Sequence, residues 1–548
     1  MIGDRRPEPS GAELWTYVRA AARGERHGPA GTVAALASLD GVPRLGWVEA
    51  PPWSRVARVL AARSANEPLR SCRRLLFVGT GGWAFGLRAL CAAVPDQSRV
   101  RVLDSPDPDV LRRVLGELGE SAGTACVVVS ASGRTRETRL LADTLALLWH
   151  RTGGAAPLRL SDHDGGLSLA GARDQVALYG VPLSVPALLA ARMLSWPRFV
   201  EVYRAFAEAL PAIGEWAGEQ SRRLPPHGTP RVVFRLPAGA GADLRLWTLQ
   251  AARQGWGGKS ERFRPWPDAV IPGTTEPGAG RSAEPGAGRS TEPGAGPPTA
   301  PGEVVVDVAE ALAGLPRLDG GAGAVAGAMA ASYAVAALVA CVAVRHGLRF
   351  ATHDAVEHYK RLLPTVPSAA HRPAGGRPVT GVGELTGVLA AWLATRPDLT
   401  TLHVVGYGIR LGDLVGGDRG LTERLGRPVE VHEGSAWNHH SYQLVWHTRS
   451  VGVAVVLAPD RPVAAAGPLC GRTLAAMRSM VDALAGATYL SLAPRCLLLR
   501  WCPAPPGGPI QGGPVRGAPV EGGPVTGGPV RGGSMAGGLV DSGGSDDR

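Results

Sequence analysis

The sequence has few of the features that mark secreted or disulfide-rich proteins. Its seven cysteines are scattered over 548 residues, and none forms a CxxC pair. An odd, unpatterned set of this kind indicates buried thiols in a reducing compartment rather than a disulfide framework. The first residues, MIGDRRPEPSGAELW, lack the apolar stretch of a signal peptide. We therefore expect a cytoplasmic protein.

Aromatic residues and lysines are also scarce, which bears on the partners of this basic chain. The formal net charge is +11, but aromatics make up only 5% and the arginines are dispersed rather than gathered in one stripe. No helix-turn-helix, zinc-finger or RNP pattern is present. These absences argue against a nucleic-acid partner, whereas a positive balance favours an anionic small substrate such as a sugar phosphate.

Long apolar runs are limited to one, AVAGAMAASYAVAALVACVAV at 324–344. Its length is that of a membrane span. Alanine dominates the run, however, and no second span accompanies it. We therefore predict a buried core helix and no membrane association.

Two segments have a composition that cannot bury apolar surface. Residues 274–301 repeat an eight-residue unit containing EPGAG, and residues 505–533 repeat xGGPV every five residues. Such Gly/Pro repeats are typical of flexible linkers and tails. We predict a disordered insertion and a disordered tail, neither of which carries chemistry.

The rest of the chain alternates between short apolar runs and helical patterns. RRLLFVGTGGWAFGLRALCAAV (73–94) predicts a buried strand, a glycine loop and a helix, and the unit recurs at 99–118 and 124–148. Further strands are predicted at 230–236 and in three later runs, TTLHVVGYG (400–408), PVEVH (428–432) and YQLVW (442–446). Strands separated by helices at this spacing predict an α/β fold with parallel sheets.

Two loops at strand ends carry the clearest functional signals. GTGGWAFG (79–86) brings Gly81 and Gly82 to a helix N-terminus, and SASGRTRET (130–138) crowds four hydroxyl side chains at another. The unpaired amides of a first helical turn attract anions, so hydroxyls beside them form a phosphate site. A dinucleotide site using Asp104, or ordinary turns and caps, are the alternatives.

The motifs RLGWVEAP (44–51), LFVGTGG, VLDSPDPDVLRRVL and VVVSASGRTRET resemble the glucose-6-phosphate isomerase family, in the long actinobacterial type related to transaldolase-fused isomerases. The resemblance continues more weakly to about residue 500. It implies two SIS domains, each a flavodoxin-like three-layer α/β/α sandwich, with the active site between them. It also implies interconversion of glucose 6-phosphate and fructose 6-phosphate without cofactor or metal, and a possible homodimer.

On this resemblance the chain divides into five regions. They are an N-terminal helical segment (1–43), SIS domain 1 (44–200), SIS domain 2 with its disordered insertion (201–365), a C-terminal α/β region (366–503) and the tail (504–548).

The phosphate loop of the family is matched well. Its hydroxyl residues correspond to Ser130, Ser132, Thr135 and Thr138, and its lysine is replaced by Ala131. Arg134 is placed to supply the lost positive charge, because a guanidinium pairs well with phosphate.

Two catalytic positions of the family are not matched. The arginine expected to support the enediolate is Pro182, and the catalytic glutamate falls on Gln254 or, with a shift of one, on Gly255. Isomerisation needs a base to move a proton between two carbons. Gln254 can contact the sugar but cannot move that proton.

Other residues remain as catalytic candidates. Lys360 matches a family lysine that assists ring opening, and His439 or His440 matches a family histidine. A relocated carboxylate, Glu433 or Glu423, would then act as the base. The same cluster of His and Glu residues leaves a metal site, or polar loop residues without a chemical task, as alternatives.

Three functions follow from these assignments. The first is an active sugar-phosphate isomerase, and the second is a catalytically degenerate SIS protein that binds sugar phosphates as a regulatory or partner subunit. The third is a related isomerisation of another phosphosugar.

Overall fold

The computed structural model describes residues 8–65, 67–94, 97–119, 123–161, 179–196, 198–272, 303–352, 354–364, 372–373, 375–458 and 471–502. The repeats at 274–301 and 505–533, and the whole predicted tail 504–548, lie outside these residues.

The N-terminal region is helical apart from one small antiparallel hairpin. A capping box, in which Ser10 and Glu13 exchange hydrogen bonds, starts the first helix. The elements are α1 (Gly11–Ala22), α2 (Gly28–Leu36), β1 (Ser38–Leu39), β2 (Val42–Pro43), α3 (Trp53–Ala65) and α4 (Glu67–Ser71).

The first sheet has four parallel strands in the order β4-β3-β5-β6. They are β3 (Arg74–Val78), β4 (Val100–Leu103), β5 (Thr124–Val129) and β6 (Leu158–Leu160), connected by α5 (Gly82–Ala92), α6 (Pro108–Leu118) and α7 (Arg136–Arg151). Every residue of β5 is buried because helices cover both faces of the sheet. Phe77 points into one hydrophobic layer and its neighbour Val78 into the other, as strand alternation requires.

A second, three-stranded parallel sheet has the order β8-β7-β9. Its strands are β7 (Arg231–Leu236), β8 (Trp266–Pro272) and β9 (Glu303–Asp307). The helices before, within and after it are α8 (Val185–Leu194), α9 (Phe199–Arg223), α10 (Ala242–Trp256), α11 (Gly320–His346) and α12 (Asp354–Leu362).

Helix α11 contains the long apolar run. It is long and apolar enough to cross a membrane, but 89% of its most apolar stretch is buried inside the protein. Small alanine side chains let α9 and α10 pack closely around it. The expectation of a core helix is confirmed.

The third sheet has five parallel strands in the order β10-β14-β13-β11-β12. They are β10 (Arg377–Val379), β11 (Thr401–Tyr407), β12 (Val429–Glu433), β13 (Val451–Leu457) and β14 (Cys496–Trp501). Their helices are α13 (Val382–Ala394), α14 (Leu411–Val415), α15 (Gly417–Leu425), α16 (Gly434–His440), α17 (Tyr442–His447) and α18 (Gly471–Leu492). Neighbouring residues Val404 and Val405 of β11 point into opposite layers, so this sheet is also covered on both faces.

The predicted strand at 442–446 is wrong, because these residues form helix α17. A short apolar run fits a strand or one turn of helix equally well. The helical turn brings Tyr442 and Val445, three residues apart, onto one face, where both are fully buried and α17 packs against α12.

The α/β class with parallel sheets is confirmed. The first sheet has the three-layer arrangement predicted for 44–200, and the third sheet, within the range 366–503 that was predicted only as an α/β region, is also covered on both faces. The range 201–365 contains the smaller three-stranded sheet. The domain boundaries themselves stay a prediction. The cysteines are free thiols throughout the described residues, all of them buried except Cys502.

Candidate functional site

The glycine loop after β3 lies against the end of β5. Gly79 has a φ of +144°, and a Cβ at this position would be 2.1 Å from the carbonyl oxygen of Val129. Only glycine allows this approach of the two strand ends. The next residue, Thr80, donates its amide to Thr138 Oγ1 at 3.1 Å, so the two predicted anion loops are in direct contact.

The hydroxyl loop 130–138 turns back tightly from β5 into α7. Ser130 Oγ donates to Thr135 Oγ1 at 3.3 Å, and Ser132 Oγ accepts from the Arg134 amide at 3.2 Å. Thr135 is the residue before α7, and its side chain makes no capping bond to the first turn. Ser132 and Arg134 are exposed, whereas Ser130 and Thr138 are buried. The loop therefore combines hydroxyls with the amides that begin a sixteen-residue helix.

A buried carboxyl lies at the second position of the same helix. Glu137 is 2% exposed, and its Oε1 is 4.0 Å from His439 Nε2 on α16. Neither atom has a hydrogen-bond partner among the residues that the structure describes. Two buried polar atoms that face each other without a hydrogen-bond partner are unusual in a folded protein and call for an explanation.

Burial shifts both of these groups toward their neutral forms. It raises the pKa of Glu137, and the charge of Lys360 opposes part of that shift. Burial likewise lowers the pKa of His439 to about 3, and here Lys360 acts in the same direction. A carboxyl with a raised pKa beside an imidazole with a lowered pKa places two acid–base groups next to each other.

Lys360 on α12 acts on this pair through its charge. Its Nζ is 2.7 Å from Glu357 Oε1, and its side chain is partly exposed. Arg136, the first residue of α7, donates to the carbonyl oxygens of Leu363 and Pro364 at 2.6 and 2.9 Å. This contact fixes the end of α12 against the start of the hydroxyl loop helix.

Neither residue that aligns with the catalytic glutamate of the resembled family is able to replace it. Gln254 is buried on α10 and donates its side-chain amide to the carbonyl oxygen of His439. A Cβ on Gly255 would be 2.3 Å from Val339 Cγ1, so this position has no room for a side chain.

Helix α16 separates the two histidines predicted from the sequence. His439 points to Glu137, whereas His440 points the other way, its ring 6.0 Å from Phe85 and 4.9 Å from His432. Burial lowers the pKa of His440 well below its usual range. Only His439 therefore faces α7, the helix that follows the hydroxyl loop.

The two predicted carboxylates do not join Glu137. Glu433 ends β12 and lines a cavity of about 710 Å³ together with His440, on the far side of α16. Burial and the nearby Asp104 raise its pKa. Glu423 is exposed on α15 and pairs with Arg419 at 2.6 Å, and no described contact connects it with the loop.

The remaining histidines surround a buried ion pair. Glu430 accepts from Arg253 at 2.6 and 2.8 Å, and His432 Nε2 is 3.0 Å from its Oε2. Burial alone would raise the pKa of Glu430, but Arg253 holds it well below the usual range. Burial lowers the pKa of His403 to about 3.

This cluster does not fit a metal ion, although His403, Glu430 and His432 bring their ligand atoms within 4.8 Å of one another. Trp437 Nε1 donates to His403 Nδ1 at 3.0 Å, and an indole N–H is only a donor. His403 must then carry its proton on Nε2, the atom that faces Glu430. Arg253 already occupies both oxygens of that carboxylate, so the cluster offers a cation no free carboxylate.

Glu137 is the functional candidate that the sequence reasoning missed. Its signal was present in SASGRTRET, but a carboxylate in the first turn of a helix is also an ordinary partner of the helix dipole. Its burial and its contact with His439, 302 residues later in the chain, appear only in the folded protein.

Comparison with known proteins gives sequence matches over a short stretch of the chain. No family model matches the chain. Two curated glucose-6-phosphate isomerases, from Desulfitobacterium hafniense strains DSM 10664 / DCB-2 and Y51, are each 35% identical over 86 residues. The match spans 15% of this chain and 16% of the length of those relatives.

Solved structures align over a larger share of the chain at low TM-scores. A hypothetical protein from Thermus thermophilus is 18% identical with a TM-score of 0.44, covering 64% of this chain and 94% of that one. A glucose-6-phosphate isomerase from Chlamydia trachomatis is 13% identical with a TM-score of 0.43, covering 64% and 82%.

The chain thus combines parallel α/β sheets with a hydroxyl loop at a helix N-terminus. Over the 86 matched residues it is similar to glucose-6-phosphate isomerases.

Proposed function

We propose that the chain binds a sugar phosphate at the loop 130–138 and interconverts its aldose and ketose forms. Glucose 6-phosphate and fructose 6-phosphate are the substrate pair that the curated relatives favour. The observation that carries the proposal is the pair of unpartnered atoms, Glu137 Oε1 and His439 Nε2, 4.0 Å apart beside the hydroxyl loop.

The phosphate group is assigned to the hydroxyl loop. Ser130 and Thr135 would turn their hydroxyls from each other to the phosphate oxygens, and the first amides of α7 would contribute the helix dipole. Arg134 is exposed at the same loop, where its guanidinium would add a charge-assisted hydrogen bond.

The proton steps are assigned to Glu137 and His439. Ring opening needs one group to protonate the ring oxygen and another to accept the hydroxyl proton, which a protonated carboxyl and a neutral imidazole supply together. The opened chain then loses its C2 proton to a base and regains it at C1, while His439 gives its proton to the C1 oxygen and takes up the proton of the C2 hydroxyl. Once ring opening has left Glu137 as a carboxylate, it is available for that transfer, and Lys360 stabilises its negative charge.

Variants of the two carboxylate candidates test this assignment. Fructose 6-phosphate turnover is followed by coupling the glucose 6-phosphate formed to a dehydrogenase. Glu137→Gln should lower kcat by about 10²–10⁴-fold, the usual contribution of a positioned acid–base group. Glu423→Gln, a surface carboxylate paired with Arg419, is the matched control and should keep the wild-type kcat.

A second candidate function is a degenerate protein that binds the sugar phosphate without turnover. Pro182, Gln254 and Gly255 favour it, because they remove the charge and the base that the family uses. Wild-type protein that binds 6-phosphogluconate but gives no turnover would establish this function instead. Unchanged kcat in Glu137→Gln would refute the role of Glu137 in an active enzyme.

A cytoplasmic location and a homodimer belong to the same proposal. Both come from the likeness to glucose-6-phosphate isomerases, and sedimentation of the full chain would test the dimer.

A further inference from the structure

Arg253 is a fully buried cation whose hydrogen bonds are all satisfied. Its side chain is 0% exposed, and it donates to both oxygens of Glu430, to Ser441 Oγ at 2.5 Å and, from Nε and Nη2, to the carbonyl oxygen of Pro267. The five N–H groups of a guanidinium point in fixed directions, so this set of acceptors defines one position for each segment that supplies them.

Arg253 and the residues that accept its hydrogen bonds come from different parts of the fold. Arg253 lies on α10 of the second sheet region, Glu430 on the edge strand β12 of the third sheet, and Ser441 between α16 and α17. Ser441 Oγ also contacts His440 Nδ1 at 2.7 Å. The guanidinium thus fixes helix α16 at its C-terminal end and fixes the strand that leads into it.

The residues next to this network in the sequence belong to the proposed site. Gln254 follows Arg253, and His439 precedes His440 and Ser441. Because successive residues of a helix point in directions about 100° apart, His440 faces the ion pair while its neighbour His439 faces Glu137. Gln254 also donates to the carbonyl oxygen of His439, which links the two helices a second time.

We propose that the buried Arg253–Glu430 ion pair positions His439 against Glu137 and thereby sets the rate of the proton steps. This inference rests on the proposed function of that site. Burying an ion pair costs desolvation of both charges and is poor evidence for a contribution to stability alone. The Arg253–Glu430 pair instead fixes the rotation of α16 about its axis. It thereby selects one orientation of the His439 imidazole, where apolar packing would allow several.

The experiment compares Glu430→Gln and Arg253→Lys with the full-length wild type. Both substitutions keep the side-chain volume approximately. Glu430→Gln removes the negative charge, and Arg253→Lys removes the forked geometry of the guanidinium. Asp482→Asn is the matched control, since it removes the carboxylate of another buried ion pair, with Arg372 at 3.1 Å. Each protein is assayed for thermal unfolding, for binding of inorganic phosphate, and for kcat and KM with fructose 6-phosphate.

Glu430→Gln should lower kcat about tenfold or more, because a misplaced acid–base group loses part of its usual contribution of about 10²–10⁴-fold. Its KM and its affinity for inorganic phosphate should change less than about threefold, because the hydroxyl loop is not touched. Arg253→Lys, which keeps the charge, should lie between this variant and the wild type. The control should unfold at a lower temperature with unchanged kcat.

Loss of thermal stability alone in Glu430→Gln and Arg253→Lys, as in the control, would overturn the proposal. If the wild type gives no turnover, the proposed function fails. The position of His439 is then measured by NMR, from the signals of its imidazole ring in histidine-labelled protein. These signals are assigned by their disappearance in His439→Gln. They should move in Glu430→Gln but not in Asp482→Asn, and unmoved signals would refute positioning independently of catalysis.

Discussion

Replacing His439 by glutamine should make the protein less sensitive to acid. The imidazole is buried beside Glu137 and Lys360, and burial lowers its pKa from about 6.5 to about 3. Below the ordinary pKa of histidine, the imidazole therefore binds a proton in the unfolded chain but stays neutral in the folded protein. Stability is lost as the pH falls from about 6.5 toward 3, and His439→Gln removes this loss.

The magnitude follows from the two pKa values. At about pH 5.5 the unfolded chain gains about 1.4 kcal/mol from protonating this one histidine, and at about pH 7.5 it gains less than about 0.1 kcal/mol. The wild type should therefore lose about 1.3 kcal/mol more stability than His439→Gln between these two conditions. Other buried histidines, such as His403, contribute equally to both proteins and cancel in the difference.

Urea unfolding at the two pH values, followed by tryptophan fluorescence, measures this difference. The sign is decisive because it reports the charge of the Glu137–His439 pair. A carboxylate 4.0 Å from the ring would favour the imidazolium and raise its pKa, and the wild type would then be the less acid-sensitive protein. A zero or reversed difference would refute the assignment of two neutral groups.

Two further predictions concern the anion loops. Ser130→Ala should weaken inorganic phosphate binding about tenfold, since a hydrogen bond to a charged group is worth about 1.5–3 kcal/mol. Titration calorimetry would show this, with Thr386→Val on α13 as a control hydroxyl and equal affinity as the contradicting result. Gly79→Ala should destabilise the fold by roughly 2–4 kcal/mol, because its Cβ would overlap the Val129 carbonyl. In thermal melts Gly116→Ala, on an open helix surface, should not lower stability, and equal melting of the two variants would contradict this account.

The part of the site that the sequence predicted is the part formed by contiguous residues. The hydroxyls of 130–138 and the glycines after β3 are read from a strand followed by a helix, and both loops are found at the carboxyl ends of parallel strands. The core helix α11 was predictable for the same reason, since its composition already excludes a polar face.

Site residues that lie far apart in the sequence were predicted less well. His439 and His440 are equivalent in the sequence, and only the packing of α16 between two surroundings separates them. Glu423 and Glu433 are acidic residues close to the histidines in the sequence, whereas the buried carboxyl beside His439 comes from helix α7 of the first sheet region. Apolar pattern alone likewise did not decide between strand and helix at 442–446.

By itself the sequence determined the alternating α/β fold, the anion loops and the loss of the family glutamate, because each depends on neighbouring residues or on residue identity. Only the tertiary structure decided that Gly255 is closed by Val339 and that Glu137 meets His439. The physical reason is that burial and the direction of a side chain depend on what packs around it. Those neighbours come from distant segments, which local pattern does not place.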